Sequence, residues 1–321
     1  MTALWQRQPV GIVGLGLIGG SLGLDLRARG ATVRALVHRQ ATADRAVERG
    51  LVTEVSTDPA VLGDCGLVVL ALPLDRLLDP APALLDALPA AAVITDVGSV
   101  KAPVLQAWTR LLGPGRARCF VASHPMAGTA QAGVEAGVAG LFQGRPWVAT
   151  PAEDTDPSAL AAVAELAGAV GADWLTCDAA DHDRAVALIS HLPVLVSAAL
   201  LQAADRGGKA MGHAPEPPGR AGEAPGRADA AGPGGRDSAG PELARLVRSL
   251  ASSGFADTTR VGGGNPELGT LMARCNREAL LAALVQYRRA LVDLEHLVAG
   301  EAWPELQASL AEAQRLRPEF L

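Results

Sequence analysis

Short apolar runs alternating with helical stretches set the pattern of the first half of the chain. Val10–Val13, Thr32–Val37, Leu67–Ala71, Ala92–Thr95, Cys119–Ala122 and Trp147–Ala149 read as strands. Gly20–Arg29, Thr42–Arg49, Pro73–Ala87 and Val100–Leu111 read as helices between them. This alternation is the βαβ signature of a parallel sheet. A helix at Pro157–Val170 and a strand near Trp174–Cys177 close the α/β part at about residue 178. From Asp178 the pattern turns helical. Ala179–Ala204 predicts one long helix, interrupted or kinked near Pro193. Glu242–Ser252, Pro266–Ala299 and Trp303–Leu316 follow, the second with Leu280, Leu284, Tyr287, Leu291 and Leu294 at helical spacing. Helices this long and alanine-rich pack on each other or across a dimer axis.

Residues 205–240 break the pattern, carrying ten Gly and five Pro with no Val, Ile, Leu or aromatic residue. Such a segment buries too little apolar surface to offset its ordering entropy, which predicts a disordered insertion. A chain of 321 residues then divides into an α/β dinucleotide-binding domain with a parallel-rich sheet over 1–178, and an all-α domain over 179–321. A formal charge of −6 argues against a general nucleic-acid binder. It leaves room for a local basic pocket around an anionic ligand. The scattered Cys65, Cys119, Cys177 and Cys275 form neither a disulfide framework nor a zinc pattern, which points to a reducing cytosol. No run is expected to span a bilayer, and no metal is implied.

The stretch Val10–Leu24, VGIVGLGLIGGSLGL, organises the first domain. A strand turns through Gly14-x-Gly16-x-x-Gly19 into a helix, the arrangement that suits a dinucleotide. The first glycine makes the turn, the second admits the pyrophosphate, and the third lets helix pack on strand. Peptide N–H groups at the helix start, those of Leu17 and Ile18, meet the phosphates. Leu72 and Pro73, after the strand Leu67–Ala71, complete that edge together with Ser99. NAD-binding versions carry an acidic residue at the end of the second strand. Here that place holds Val37-His38-Arg39-Gln40, with Arg34 on the strand itself. With no carboxylate to repel a 2′-phosphate, His38 and Arg39 favour NADP; the other reading of Arg39 is an ordinary solvated arginine.

Two stretches follow strands on the expected ligand edge: Thr95-Asp96-Val97-Gly98-Ser99-Val100-Lys101 and Ser123-His124-Pro125-Met126-Ala127-Gly128-Thr129. A neutral imidazole with an ordinary pKa near 6.5 accepts a proton around neutral pH as hydride leaves the same carbon. Ser99 is placed to hydrogen-bond that histidine or a substrate hydroxyl. Taken singly, His124 is equally a structural strand-end histidine, and Ser99 equally an N-cap.

Together, GLGLIGGSLG, TDVGSVK, SHPMAGT with Leu141-Phe142, DHDRAVALISHLP and SSGFADTTRVGGGNPELGTLM resemble the prephenate/arogenate dehydrogenase family of tyrosine biosynthesis. The resemblance covers the chain apart from 205–240. ISHLPVLVSAAL and VGGGNPELGTLMAR are most similar to the NADP-dependent arogenate dehydrogenases of the cyanobacterial branch. It implies a Rossmann-type N-terminal domain, a helical C-terminal domain that dimerises, and oxidative decarboxylation with hydride transfer to NADP. His124 matches the catalytic histidine that takes the proton of the ring C4 hydroxyl, and Ser99 the serine that orients both. Arg260 matches the arginine that holds the ring carboxylate; a helix-capping or interdomain ion pair is its structural alternative. His191, Asp183 and His182 match positions that line or brace the pocket.

The chain departs from that pattern at three places. Val194 stands where many prephenate-using members have a second histidine, Ala130 where some have an acid, and Ala256 where a basic residue is usual. These departures agree with arogenate as substrate. An NAD-linked prephenate dehydrogenase and a non-catalytic NADP-binding sensor are the rival readings. A β-hydroxyacid dehydrogenase is a more distant one, because that class uses a lysine on its helical domain and the chain has only Lys101 and Lys209.

Overall fold

The computed structural model describes residues 2–128, 131–210 and 239–320. Contacts gather into two compact units, one within Met1–Leu192 and Pro266–Leu321, the other within Pro193–Asn265.

The first unit is built on a six-stranded sheet of β1 (Val10–Val13), β2 (Val33–Leu36), β3 (Glu54–Ser56), β4 (Leu67–Leu70), β5 (Val93–Asp96) and β6 (Phe120–Val121). Its order is β3-β2-β1-β4-β5-β6, every pair parallel. A parallel sheet is covered on both faces, so its strands are continuous apolar runs rather than alternating ones. β4 shows this: Leu67 and Val69 pack into one apolar cluster, Val68 and Leu70 into another, all four without solvent exposure. Each such side chain contributes roughly 1.5–3 kcal/mol by leaving water. The first cluster also holds Leu22 and Leu26 of the helix Leu17–Ala28, and the second holds Trp108 stacked on Phe120.

Past Ala122 the chain changes sheets. β7 (Ser123–Pro125) pairs antiparallel with β8 (Pro146–Ala149), which pairs parallel with β9 (Asp173–Thr176). His124, expected in a loop after a strand, thus lies on a strand of its own. β3 was likewise not anticipated; its burial is slight, and it is held by backbone pairing to β2.

Three expected helices divide differently. Pro73–Ala87 is two helices, Leu74–Leu78 and Pro82–Ala87, because Asp79 before Pro80 leaves the helical region. Pro266–Ala299 is two, Pro266–Cys275 and Arg277–Ala299, parted at Asn276, whose side chain turns into the core. The interruption expected near Pro193 is a π turn just before it. Ala179–Val186 passes through a π turn, Ala187–His191, into Leu192–Ala210. Proline cannot donate to the carbonyl four residues back and its ring crowds that oxygen, and the wider turn accommodates both effects.

The irregular segment expected from residue 205 is shorter at both ends. Residues 205–210 complete a helix, where Asp205 accepts from Lys209 and Arg248, each at 2.6 Å, and Ala239–Leu250 is helical too. The rest of that expectation, 211–238, lies outside the described residues. The joined helical run Ala179–Lys209, at 31 residues, is long and apolar enough to cross a membrane by length and composition only, a test that the core helix of a soluble protein also passes. It opens on the buried polar residues His182 and Asp183 and serves the protein core there. In the second unit Ser197 Oγ donates to the Thr258 carbonyl at 2.7 Å, tying this helix to Ser253–Thr259.

Candidate active site

Strand order reverses between β1 and β4, so their carboxyl ends border the crevice where ligands bind in such sheets. Gly14 follows β1 with φ of 95°, and a side chain there would meet the Ala71 carbonyl. A Cβ on Gly19 would collide with the Gly14 carbonyl oxygen, whereas at Gly16 it would face open space. Gly14 and Gly19 therefore serve packing, and Gly16 leaves an approach for a ligand. The helix Leu17–Ala28 begins there with no side-chain cap and no acid in its first turn. The peptide N–H groups of Leu17 and Ile18 are left to an anion, and the loop fits a pyrophosphate. Leu72 and Pro73 follow β4, Ser99 follows β5, and His38 and Arg39 follow β2, all on the same sheet edge. Arg39 Nε donates to His38 Nε2 at 2.7 Å, and both side chains are exposed. Arg34 is committed elsewhere, to Glu54 at 3.0 Å and to Asp64.

The second stretch is anchored from beneath. Asp96, at the end of β5, accepts from Gly98 N at 2.8 Å, Ser123 N at 3.1 Å and the Lys101 ammonium. Lys101 Nζ also donates to the Ser123 carbonyl at 2.6 Å, and both charged residues are fully buried. Ser123 Oγ donates to the Asp96 carbonyl at 2.8 Å and accepts from Trp147 Nε1 at 2.9 Å. Most of the motif Thr95–Lys101 is thus a brace that fixes the backbone on which His124 stands.

The partner of the His124 ring is His182: Nδ1 and Nε2 lie 3.0 Å apart, with the rings edge-on at 71°. His182 Nδ1 lies 2.8 Å from Asp183 Oδ1. Asp183 also accepts the Lys101 N–H at 2.7 Å and the Ala102 N–H at 2.9 Å. It therefore caps the helix Ala102–Ala117, the task the sequence left open for Ser99. Among the described residues the Ser99 side chain, half-buried, makes no hydrogen bond. Asn276 Nδ2 donates to the Asp183 carbonyl at 2.7 Å and lies 3.2 Å from His191 Nδ1. His191 is buried in the π turn, with its Nε2 lacking a partner among the described residues.

Burial pushes the His124 imidazole well below its ordinary 6.5, and the nearby Lys101, His182 and His191 push the same way. The shift favours the neutral imidazole. Burial lowers His191 to about 4, with Asp183 opposing and His182 adding to the fall. Burial also lowers Lys101, against the pull of Asp96.

A profile of the prephenate dehydrogenase nucleotide-binding domain matches residues 22–176, and one of the prephenate dehydrogenase dimerization domain matches 178–214 and 239–312. The chain belongs to the prephenate dehydrogenase family. Among its relatives is the cyclohexadienyl dehydrogenase of Zymomonas mobilis, 30% identical over 311 residues that cover 96% of this chain and 94% of the relative. Among solved structures it is similar to Synechocystis arogenate dehydrogenase, 39% identical with a TM-score of 0.74, covering 98% of this chain and 100% of that one. It is also similar to A. aeolicus prephenate dehydrogenase, solved in complex with hydroxyphenyl propionate and NAD+, 27% identical with a TM-score of 0.79 over 98% of each chain. This member of the prephenate/arogenate dehydrogenase family is a Rossmann-type oxidoreductase.

The first unit of this family member brings together His124, His182, Asp183, His191, Lys101 and Asp96. Arg260 lies on the second unit, exposed, at the start of the 3-10 turn Arg260–Gly263, with no ion pair among the described residues. Ala130 lies outside the described residues. A cleft of about 710 Å³ is lined by Ala102, Asp183, Arg184, Cys275, Asn276 and Arg277 among others, but not by His124 or Ser99. Sequence reasoning missed Lys101, Asp96 and Asn276. The available signal was Lys101 itself, one of two lysines in the chain and placed inside a singled-out motif.

Proposed function

We propose that the chain oxidises L-arogenate to L-tyrosine, with NADP as hydride acceptor and loss of the ring carboxylate as carbon dioxide. The observation that carries the reading is His124, held by its ring contact with His182 on a strand that follows β6 at the sheet edge bearing Ser99. When bound, the dinucleotide supplies the nicotinamide carbon that takes the hydride. The Gly14–Gly19 loop with the Leu17 and Ile18 N–H groups holds its pyrophosphate, and Leu72, Pro73 and Ser99 border it. His124 Nε2 removes the C4 hydroxyl proton as hydride leaves that carbon. The ring carbonyl so formed draws in the electron pair of the carbon–carboxylate bond, carbon dioxide departs, and the oxygen takes its proton back from His124. Arg260, a planar fork of donors, binds the carboxylate before it leaves. Ser99 orients the hydroxyl.

Arogenate is favoured by Val194 at the place of a second histidine, and by the likeness to the Synechocystis enzyme. NADP is favoured by the absence of a carboxylate after β2 and by exposed Arg39. A second reading, an NAD-linked prephenate dehydrogenase, is supported by the likeness to the A. aeolicus enzyme solved with NAD+. Product analysis tests the first: tyrosine, carbon dioxide and NADPH form in equal amounts from arogenate. Formation of 4-hydroxyphenylpyruvate from prephenate, with arogenate untouched, favours the second. Arg39→Ala is expected to weaken NADP about 10–100-fold, the worth of a charge-assisted hydrogen bond, while NAD affinity changes little. Equal losses for both cofactors, measured as Kd, contradict the role given to Arg39.

Homodimerisation through the C-terminal helices fits the same reading. In Arg277–Ala299 only Leu280 and Ala283 are buried, and in Trp303–Leu316 no residue is. Leu281, Leu291, Val298, Trp303 and Leu310 are exposed apolar residues there. Four free cysteines suit a reducing cytoplasm.

A further inference from the structure

The hydrogen bonds leading away from His124 have a direction that can be read from their far end. Asp183 Oδ1 accepts the peptide N–H of Lys101 at 2.7 Å, and Oδ2 accepts that of Ala102 at 2.9 Å. These two N–H groups open the helix that starts at Ala102 and runs unbroken to the kink at Gly113, and its positive end favours an anion. With both oxygens already acting as acceptors toward backbone, Asp183 meets His182 as an acceptor too. The hydrogen in the 2.8 Å contact therefore belongs to His182 Nδ1. With a single hydrogen on the His182 ring, held at Nδ1, its Nε2 is a lone pair. The 3.0 Å contact with His124 Nδ1 then requires the hydrogen on His124. That leaves His124 Nε2 unprotonated, the state a proton acceptor needs.

We propose that His182 and Asp183 are positioning residues that lock His124 in its Nδ1–H tautomer, so that Nε2 is the basic atom. The proposal rests on the reading of His124 as the base for the C4 hydroxyl. Polarity is set at a helix terminus and passed through two imidazoles to the site. The same chain serves the next instant of the reaction. Once His124 Nε2 has taken a proton, the imidazolium still donates its Nδ1–H to His182, and the Asp183 carboxylate lies one ring beyond. The charged and titratable groups around His124 are Lys101, which opposes a positive ring, the histidines His182 and His191, and the carboxylates Asp96 and Asp183. The two carboxylates outnumber the one ammonium, Lys101. Burial of His182 and Asp183 shields their contact from water.

A purely structural Asp183 would cap the helix and do nothing to the tautomer. Asp183→Asn keeps an acceptor for the Ala102 N–H only, because an NH2 turned to His182 takes the Oδ1 place that also faces the Lys101 N–H. Its NH2 can donate to His182 Nδ1, which reverses both ring contacts and puts the His124 hydrogen on Nε2. His182→Leu and His182→Gln, which leave the cap intact, separate the roles. His182→Leu removes the acceptor for His124 Nδ1, while His182→Gln can restore one through its amide oxygen.

The test is nitrogen-15 NMR of the histidine side chains in the full-length protein, with the His124 signals assigned by their loss in His124→Asn. In wild type the expected pattern is a protonated Nδ1 and a bare Nε2 on His124. In Asp183→Asn the hydrogen moves to Nε2 in most molecules. Arogenate oxidation by Asp183→Asn and His182→Leu is expected to fall about 10²–10³-fold in kcat, within the range for a misdirected general base, with KM changed less than about threefold; His182→Gln recovers part of the loss. A wild-type His124 bearing its hydrogen on Nε2 overturns the proposal without any variant having to fold. So does an unchanged tautomer with full kcat in Asp183→Asn. If wild type shows the expected tautomer but turns over no cyclohexadienyl substrate, the functional reading fails and the tautomer lock stands.

Discussion

His124→Asn lowers kcat by about 10²–10⁴-fold, the span for loss of a general base, and leaves the Kd for the dinucleotide within about threefold. The asparagine amide can keep the donor toward His182 Nε2 that His124 Nδ1 supplies at 3.0 Å. It puts no proton acceptor where His124 Nε2 stood. The loss should therefore sit in kcat, with substrate and cofactor still bound. Steady-state rates together with direct titration of NADP check both halves. A kcat within tenfold of wild type removes His124 from the chemistry, whatever the affinity shows.

The largest effect on stability is expected at Lys101. Its ammonium is fully buried between the Asp96 carboxylate and the Ser123 carbonyl, and Asp96 is itself fully buried. Lys101→Met leaves that carboxylate with peptide donors from Gly98 and Ser123 but no cation. Breaking a buried pair from one side costs roughly 3–5 kcal/mol. Neutralising both sides, with Lys101→Met and Asp96→Asn together, should cost less than Lys101→Met alone, since no uncompensated charge remains. Denaturant unfolding followed by circular dichroism measures all three proteins. A single variant within about 1 kcal/mol of wild type, or a double variant less stable than the single, contradicts the brace.

The parallel sheet was legible because its strands are buried on both faces. An unbroken apolar run such as Leu67–Leu70 has no other use in an α/β pattern. The glycine loop was legible for a similar local reason, since a positive φ at Gly14 and a closed contact at Gly19 each exclude a side chain. β7 escaped notice because three residues held by pairing with β8 give no periodicity. The division at Asn276 escaped for another reason. Its neighbours are good helix formers, and what turns the asparagine inward is a carbonyl 93 residues away, that of Asp183.

The site divided along the same line. His124 and Ser99 stood out because each follows an apolar run that ends at the ligand edge. The links from Lys101 to Asp183, and from His124 to His182, span 82 and 58 residues and carry no spacing that a sequence can display. A fully buried lysine is also the last reading a sequence invites, because lysine is almost never buried without a partner. Asp96 supplies that partner five residues earlier, in the same motif.

The central claim is a hydride acceptor and a substrate chosen together. It is tested most directly by initial rates in four combinations, arogenate or prephenate with NADP or NAD. The account predicts the highest kcat/KM for arogenate with NADP, with the other three pairs well below it. Preferred turnover of prephenate with NAD would contradict it, and with it the weight placed on Val194 and Arg39.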